Sequence, residues 1–183
     1  SVAMRAVIDA AKRYAVGDSI VLVSGPPGVG KSMLAKAIHD FSDREARPFI
    51  VVECRGFSPE YLAEEIFGND DEEESRLVPS GKLRLTQDGT IFFKHIEDLP
   101  LALQKRLTRV IKSRKLGEED SVPARMLFSS SADISSLVAR RYVDEELAVR
   151  ISQLELALPP LSARPEDAAL LVDYFIQKNA ALS

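Results

Sequence analysis

The sequence contains few of the residues that cross-link or anchor a protein. Its 183 residues include one cysteine, so no disulfide can form within the chain and no thiol pair stands at metal-ligand spacing. No apolar run reaches the ~18 residues of a membrane span, and no basic-then-apolar signal begins the chain. Basic residues do not predominate either: 24 against 28 acidic residues leave a net charge of -4, which disfavours gripping nucleic acid through its phosphates. We therefore expect a soluble, cytoplasmic protein without a membrane partner, whose DNA contacts lie outside this chain.

What the sequence does contain is the alternation of strand formers and helix formers that is typical of an α/β protein. With 45% apolar and 28% charged residues, it has the composition of one globular domain. Continuous apolar runs predict strands that are buried on both faces of a parallel sheet, with helices on each side. Five strands are expected, at residues 19–24, 49–53, 90–93, 126–129 and 153–158.

Helix signals fall between these strands. One helix is expected over residues 32–41, a second from Pro59 to Phe67 with Ser58 as its N-cap, and a third from Pro100. The apolar residues of the third helix recur at helical spacing, which predicts that its basic residues face water. Those basic residues are Lys105, Arg106, Arg109 and Lys112.

Two stretches suggest boundaries. Residues 70–74 are consecutive acids, and like charges side by side favour an exposed loop. The pair Pro159 and Pro160 is interpreted as a hinge, which divides the chain into a nucleotide-binding core at 1–158 and the beginning of a truncated helical lid at 159–183. A last helix is expected from Pro165. Its inward residues would be Ala168, Leu171, Val172 and Phe175.

One segment carries specific chemistry. Residues 25–32, GPPGVGKS, satisfy the phosphate-loop pattern G-x-x-x-x-G-K-S/T between a predicted strand and a predicted helix. The glycines let successive N–H groups turn toward phosphate oxygens, and the helix adds its positive N-terminal dipole. Lys31 is expected to reach the β- and γ-phosphates, and the Ser32 hydroxyl to ligate Mg²⁺. The residues expected to bind the nucleotide are Gly25, Pro26, Pro27, Gly28, Val29, Gly30, Lys31, Ser32 and Met33.

Further segments agree in order and spacing with a known family. After the phosphate loop come AIH at 37–39, PFIVVEC at 48–54, EIFG at 65–68, DGTIFF at 88–93, LQKRLTRV at 103–110 and PPLSAR at 159–164. Over nearly its whole length the chain therefore resembles the AAA+ domain of bacterial enhancer-binding proteins, the NtrC-like activators of sigma-54 RNA polymerase. The resemblance implies a three-layer αβα P-loop fold with a five-stranded parallel sheet.

The resemblance also implies an oligomeric state and a mechanism. Members form rings, usually hexamers, with ATP between subunits, and hydrolysis drives a surface loop against the sigma factor. The expected partners are therefore other copies of the chain and RNA polymerase or a related activator. A regulatory domain and a helix-turn-helix domain typically flank this core in the family. Contact with DNA would come from that second domain, which this sequence does not contain.

The chain departs from the family where ATP is hydrolysed. The Walker B strand of the family ends in Asp-Glu, and Lys94 and His95 occupy these positions here. An ammonium cannot ligate Mg²⁺, so hydrolysis should suffer and Mg²⁺ becomes dispensable, with the charge of Lys94 acting on the triphosphate instead. His95 is a weak replacement for the glutamate, because a neutral imidazole lacks its negative charge. Glu97 and Asp98 are interpreted as structural, and Asp98 as a cap of the helix at Pro100.

Three further family positions differ. The loop after Gly68 is acidic and has no GAFTGA, the motif that touches the sigma factor in the family. The sensor asparagine is replaced by Ser131, whose hydroxyl has a shorter reach. The first arginine finger is replaced by Asp144, a carboxylate that would repel a neighbour's γ-phosphate, while Arg150 retains the second finger.

These residues predict a nucleotide-binding, hydrolysis-deficient AAA+ domain of a bacterial transcription regulator, acting as a switch or an oligomerisation scaffold. ATP or ADP is the expected ligand, and no catalytic residue is assigned. A cyclic dinucleotide in the same pocket is conceivable, although no residue demands it. Two alternatives stay open: a slow ATPase in which His95 or Glu97 serves the water, and a protein-interaction module that binds no nucleotide.

A few other polar residues are expected to serve structure rather than chemistry. His39 has no second imidazole or thiol at ligand spacing, so local packing is favoured over metal binding. Cys54 ends an apolar strand and is interpreted as a small buried hydrophobe. Glu53 and Arg55 form a candidate ion pair at the end of that strand.

Overall fold

The computed structural model of the chain describes residues 2–68, 81–117, 120–163 and 165. Two expectations from the sequence therefore lie outside the described residues. One is the acidic loop at 69–80, and the other is the inward face of the last helix beyond Pro165.

A parallel sheet organises the described part of the chain. The strands are β1 (Val21–Ser24), β2 (Phe49–Glu53), β3 (Thr90–Lys94), β4 (Lys115–Leu116), β5 (Asp120–Ser121), β6 (Arg125–Ser130) and β7 (Glu155–Ala157). The sheet contains five of them in the order β2-β3-β6-β1-β7, and a separate antiparallel hairpin pairs β4 with β5. All five strands expected from the apolar runs are confirmed, with ends that differ by up to two residues.

Helices connect the strands and cover both faces of the sheet. The three expected helices among the described residues are confirmed, and Ser58 caps one of them by accepting a hydrogen bond from the Tyr61 amide at 3.2 Å. The helices are α1 (Val2–Ala15), α2 (Lys31–Asp40), α3 (Pro59–Phe67), α4 (Lys82–Leu85), α5 (Leu101–Ser113), α6 (Ile134–Ala139) and α7 (Glu145–Ile151). No helix among the described residues is both long and apolar enough to cross a membrane.

The core formed by the described residues consists of two apolar clusters, one on each side of the sheet. Adjacent residues of a strand point to opposite faces, so Phe92 packs with α1 and α2 while Phe93 packs with α3 and α5. The rings of Phe93 and Phe128 stack at 5.1 Å between centroids. The expected three-layer αβα architecture is confirmed, because every central strand is buried on both faces.

Two details of helix α5 differ from the expectation. Arg106 is only partly exposed, and its guanidinium lies 4.3 Å from the ring centroid of Phe67, where a cation and an aromatic face attract each other. Asp98 does not cap the helix, which has no side-chain cap. The Asp98 carboxylate instead accepts a hydrogen bond from Arg55 Nε at 2.7 Å, since the chain turns between β3 and α5 through a short 3₁₀ helix.

Helix α1, which was not predicted from the sequence, is held against the sheet by a buried arginine. Arg125 is fully buried at the start of β6. Its guanidinium donates to the carbonyl oxygens of Ala15 at 2.8 Å and Ser19 at 3.2 Å, and also to that of Tyr14. The last carbonyls of α1 have no partner within the helix, and Arg125 supplies donors for them.

Candidate functional site

The register of the sheet brings several strand ends to one edge. Ser24 pairs with Ser130, and Glu53 pairs with Lys94. The carboxyl ends of parallel strands meet at the same edge, and in open α/β sheets ligands bind there. The phosphate loop follows β1 at this edge, so it lies beside the residues that follow β3 and β6.

The phosphate loop has a backbone that glycine alone accommodates. Gly25 has a φ of 142°, and a Cβ on it would lie 2.6 Å from the carbonyl oxygen of Leu158. Gly30 is the N-cap of α2 in the left-handed region, with a φ of 101° and no side chain to accept from the first turn. The amides of that turn are therefore available to an anion, as a phosphate-binding helix terminus requires.

Lys31 is folded back onto the loop. Its ammonium donates to the carbonyl oxygens of Gly25 at 2.6 Å and Pro26 at 2.9 Å. The side chain is 8% exposed, and this burial lowers the pKa of Lys31, while the nearby carboxylate of Glu97 acts in the opposite direction. Ser32 and Met33, the next two residues, are exposed. The desolvated Lys31 ammonium is thus bound to neutral carbonyl oxygens of the loop, which are weak acceptors that phosphate oxygens can replace.

Lys94 ends β3 and is held by the neighbouring strand. Its ammonium lies 2.6 Å from Glu53 Oε2. Glu53 therefore pairs with Lys94, and the pairing of Glu53 with Arg55 considered above is not the one adopted: the Arg55 guanidinium binds Asp98. The position at which the resemblance implies a metal-binding carboxylate thus carries a cation in an ion pair.

His95 follows in the left-handed region, with a φ of 56°. This turn directs its ring toward β6, where Nδ1 lies 3.2 Å from Ser131 Oγ. Nε2 lies 3.9 Å from Glu53 Oε1, and Nδ1 lies 3.8 Å from Glu97 Oε1. His95 and Ser131, both singled out from the sequence, are therefore brought together.

Glu97 belongs to the site more closely than the sequence indicated. Its Oε1 accepts a hydrogen bond from the Ser131 amide at 2.9 Å, and its Oε2 is buried without a partner among the described residues. Glu53 was likewise not identified as a site residue. Glu53 could have been identified from the sequence, because two predicted parallel strands that end together place it opposite Lys94. The position of Glu97 could not, because it depends on the turn after β3.

The residues at the expected ligand positions do not form the magnesium site of the family that this chain resembles. Ser32 offers an exposed hydroxyl, but the residue at the end of β3 is the Lys94 ammonium, which repels a divalent cation. The residues present at these two positions therefore do not fit Mg²⁺ in the way the family holds it.

The segment at the arginine-finger positions is tied to helix α5. Asp144 caps α7 by accepting from the Leu147 amide at 3.2 Å, and its own amide donates to Gln104 Oε1 at 2.8 Å. Arg150 Nη2 lies 3.6 Å from Glu146. Asp144 thus has a helix-capping function where an arginine would not cap.

The two minor expectations about packing are confirmed. His39 is 1% exposed, its Nδ1 lies 2.9 Å from Thr90 Oγ1, and its ring contacts that of Phe49 at 5.1 Å between centroids. Cys54 is buried and unpaired, and desolvation raises the pKa of its thiol far above the usual range.

Comparison with known proteins agrees with the observed fold. A family model described as the sigma-54 interaction domain matches residues 1–157. The chain is 34% identical over 187 residues to the DNA-binding transcriptional activator HyfR of Escherichia coli K12, covering 98% of this chain and 28% of HyfR. It is 32% identical over 185 residues to the response regulator FleR of Pseudomonas aeruginosa, covering 97% of this chain and 39% of FleR.

A solved structure is similar along the same length. NtrX from Brucella abortus in complex with ATP superposes with a TM-score of 0.86 at 29% identity, covering 98% of this chain and 42% of NtrX. Its complex with ADP superposes with a TM-score of 0.87 and covers 98% of this chain. The chain spans less than half the length of each of these relatives.

Proposed function

The chain belongs to the family of sigma-54 interaction domains, the AAA+ domains of NtrC-like transcriptional activators, and we propose that it binds ATP or ADP without appreciable hydrolysis. The observation that carries the proposal is the contrast at the edge of the sheet. The phosphate loop is intact, whereas the end of β3 presents an ammonium paired with Glu53 at 2.6 Å. Nucleotide binding depends mainly on the phosphate loop, whereas cleavage also requires carboxylates at the end of β3. Binding can therefore persist without hydrolysis.

Phosphate binding rests on Lys31 and the loop around it. The ammonium already lies among the loop carbonyls, and a phosphate oxygen is a stronger, charged acceptor. The proposed nucleotide ligands are the loop residues from Gly25 to Met33, and the ATP and ADP complexes of NtrX support the choice of ATP or ADP as the nucleotide.

The lack of hydrolysis rests on Lys94 and His95. A carboxylate at the end of β3 would hold the metal, and a second would orient the attacking water. Neither position carries one, and removal of an arginine finger alone costs ~10³ or more in rate in related phosphoryl transfer. We propose that Lys94 offsets part of the phosphate charge, so that the nucleotide binds without Mg²⁺.

The biological role follows from that assignment. The sequence contains no GAFTGA, so we propose that the domain does not open sigma-54 promoters by itself. It would act as a nucleotide-dependent switch or scaffold in the cytoplasm, through self-association and through RNA polymerase or a related activator. We further propose that residues 1–158 form the core and that residues 159–183 begin a helical lid.

Calorimetry with ATP and ADP, each with Mg²⁺ and with EDTA, tests binding. We expect saturable binding whose affinity changes little with Mg²⁺, and a loss of more than about tenfold in Lys31→Ala, because charge-assisted contacts to phosphate disappear. Lys36→Ala is the matched control, since Lys36 is an exposed lysine of the same helix. Absence of binding by either nucleotide would support the interaction module, and abolition by EDTA would contradict the role of Lys94.

A slow ATPase is the second candidate, because Glu97, close to His95, provides a buried carboxylate oxygen that no described residue hydrogen-bonds. Steady-state phosphate release separates the two candidates. We expect the same background release from the unmodified protein and from Lys31→Ala. Release that disappears in both Lys31→Ala and Glu97→Gln would establish the slow enzyme instead.

A further inference from the structure

Three potential ligands for a metal ion converge in the turn after β3. One donor atom from each of His95, Glu97 and Asp98 lies within 4.8 Å of the other two. His95 Nδ1 and Glu97 Oε1 are 3.8 Å apart. In a tetrahedral site with bonds of about 2.1 Å the ligand atoms are about 3.4 Å apart. Small side-chain rotations therefore bring the Glu97 carboxylate and His95 Nδ1, which lies 3.2 Å from Ser131 Oγ, to coordinating distance.

Glu97 provides independent evidence that this cluster can bind a cation. Its side chain is only 10% exposed, and its Oε2 is buried with no hydrogen-bond partner among the described residues. A buried carboxylate oxygen without a partner is destabilising, because the desolvation of the charge is not compensated. The Ser131 amide holds the other oxygen and thereby keeps the carboxylate in this position.

The pattern of ion pairs leads to the same conclusion. Glu53 is neutralised by Lys94 at 2.6 Å, and Asp98 by Arg55 at 2.7 Å. Within the described parts of the chain, Glu97 has no lysine or arginine at ion-pair distance: the ring of His95 lies 3.8 Å away, and the nearby Lys31 ammonium is held by the carbonyl oxygens of Gly25 and Pro26. A cation between His95 and Glu97 would compensate this remaining negative charge.

We propose that His95 and Glu97, with Asp98 as a third ligand, bind one divalent transition-metal ion such as Zn²⁺ in the absence of nucleotide. An imidazole combined with carboxylates suits zinc, whereas Mg²⁺ takes oxygen ligands almost exclusively. The Ser131 amide then serves as an outer-shell group that orients Glu97. This site goes beyond the proposed nucleotide binding and uses none of the phosphate-loop residues.

Zinc titration of the chelator-treated chain tests the proposal. We expect one equivalent of Zn²⁺ to bind, and His95→Ala and Glu97→Gln each to lower its affinity by at least about tenfold, the loss that even an outer-shell substitution causes. Glu97→Gln retains an oxygen that can accept from the Ser131 amide, so the fold should be preserved, which thermal unfolding verifies. Glu146→Gln is the matched control, because Glu146 is an exposed carboxylate on α7.

A measurement on the unmodified protein avoids any effect of substitution on folding. The chain has two histidines, and His39 is buried against Thr90. Zinc should therefore shift the imidazole NMR signals of His95 and leave those of His39 in place. The proposal is overturned if Zn²⁺ does not bind, if neither imidazole responds, or if both variants bind like the unmodified chain. Lys31→Ala should lose nucleotide but keep zinc, so the failure of one proposal is distinguishable from the failure of the other.

Discussion

Substitutions of the two members of the Lys94–Glu53 ion pair should change the affinity for nucleotide without Mg²⁺ in opposite directions. If the ammonium of Lys94 acts on the phosphates, Lys94→Met should weaken binding in EDTA. If Glu53 competes with the phosphates for that ammonium, Glu53→Gln should strengthen it. Both side chains are partly exposed, at 29% and 36%, so solvent screens the pair and the phosphates have access to it.

The size of each effect can be estimated from Coulomb's law and from the exposure of the two side chains. A lysine about 6 Å from a phosphate charge, at an effective dielectric constant of about 20, contributes about 3 kcal/mol. Lys94 must leave its partly exposed ion pair with Glu53 to contact the phosphate, which offsets about 0.5–1 kcal/mol of this attraction. Screening by salt reduces the attraction further. We therefore expect a loss of about 1–2 kcal/mol in Lys94→Met, a factor of about 5–30 in Kd. Glu53→Gln should gain about 0.5–1 kcal/mol, a factor of about 2–5.

The assay is isothermal titration with ATP in EDTA at low and high salt. Both effects should shrink as the salt concentration rises, because the interactions are electrostatic. Lys82→Met is the matched control: Lys82 forms an equivalent ion pair with Glu65 at 2.7 Å, and its loss should leave the Kd unchanged. Equal Kd values for the unmodified chain and Lys94→Met, or weaker binding by Glu53→Gln, would refute the reasoning.

Three further predictions concern stability and reactivity. Arg125→Met should lower the free energy of unfolding by about 3 kcal/mol in urea, because buried carbonyls of α1 and Ser19 lose their donors; exposed Arg109→Met should stay within about 0.5 kcal/mol. Gly25→Ala should lower the melting temperature and weaken nucleotide binding, because its Cβ would lie 2.6 Å from the Leu158 oxygen; an unchanged melting temperature would contradict this. Cys54 should resist a thiol reagent at pH 8 in the folded chain and react fully in urea, because burial raises the pKa of its thiol; equal reaction rates in the two states would count against it.

Much of the architecture was predictable because its signals are local. Each central strand is a continuous apolar run, and the turns that frame α3 carry their own capping residues. The phosphate loop is contiguous in the chain, so its pattern and its flanking elements could be recognised together. Helix α1 was not predicted because a major contact that holds it is not local. Its last carbonyls bind Arg125, which lies 110 residues further along the chain.

The chemistry around the phosphate loop depended on contacts that no local pattern contains. Whether Lys94 stands free or paired is decided by the register of β2 against β3, which sets Glu53 beside it. Whether Glu97 points into the site is decided by the left-handed turn at His95 and by the Ser131 amide at the end of β6. Residue types and spacings can reveal which groups a chain carries, but the partners of each charge follow from strand pairing and burial, and these arise only when distant segments pack together.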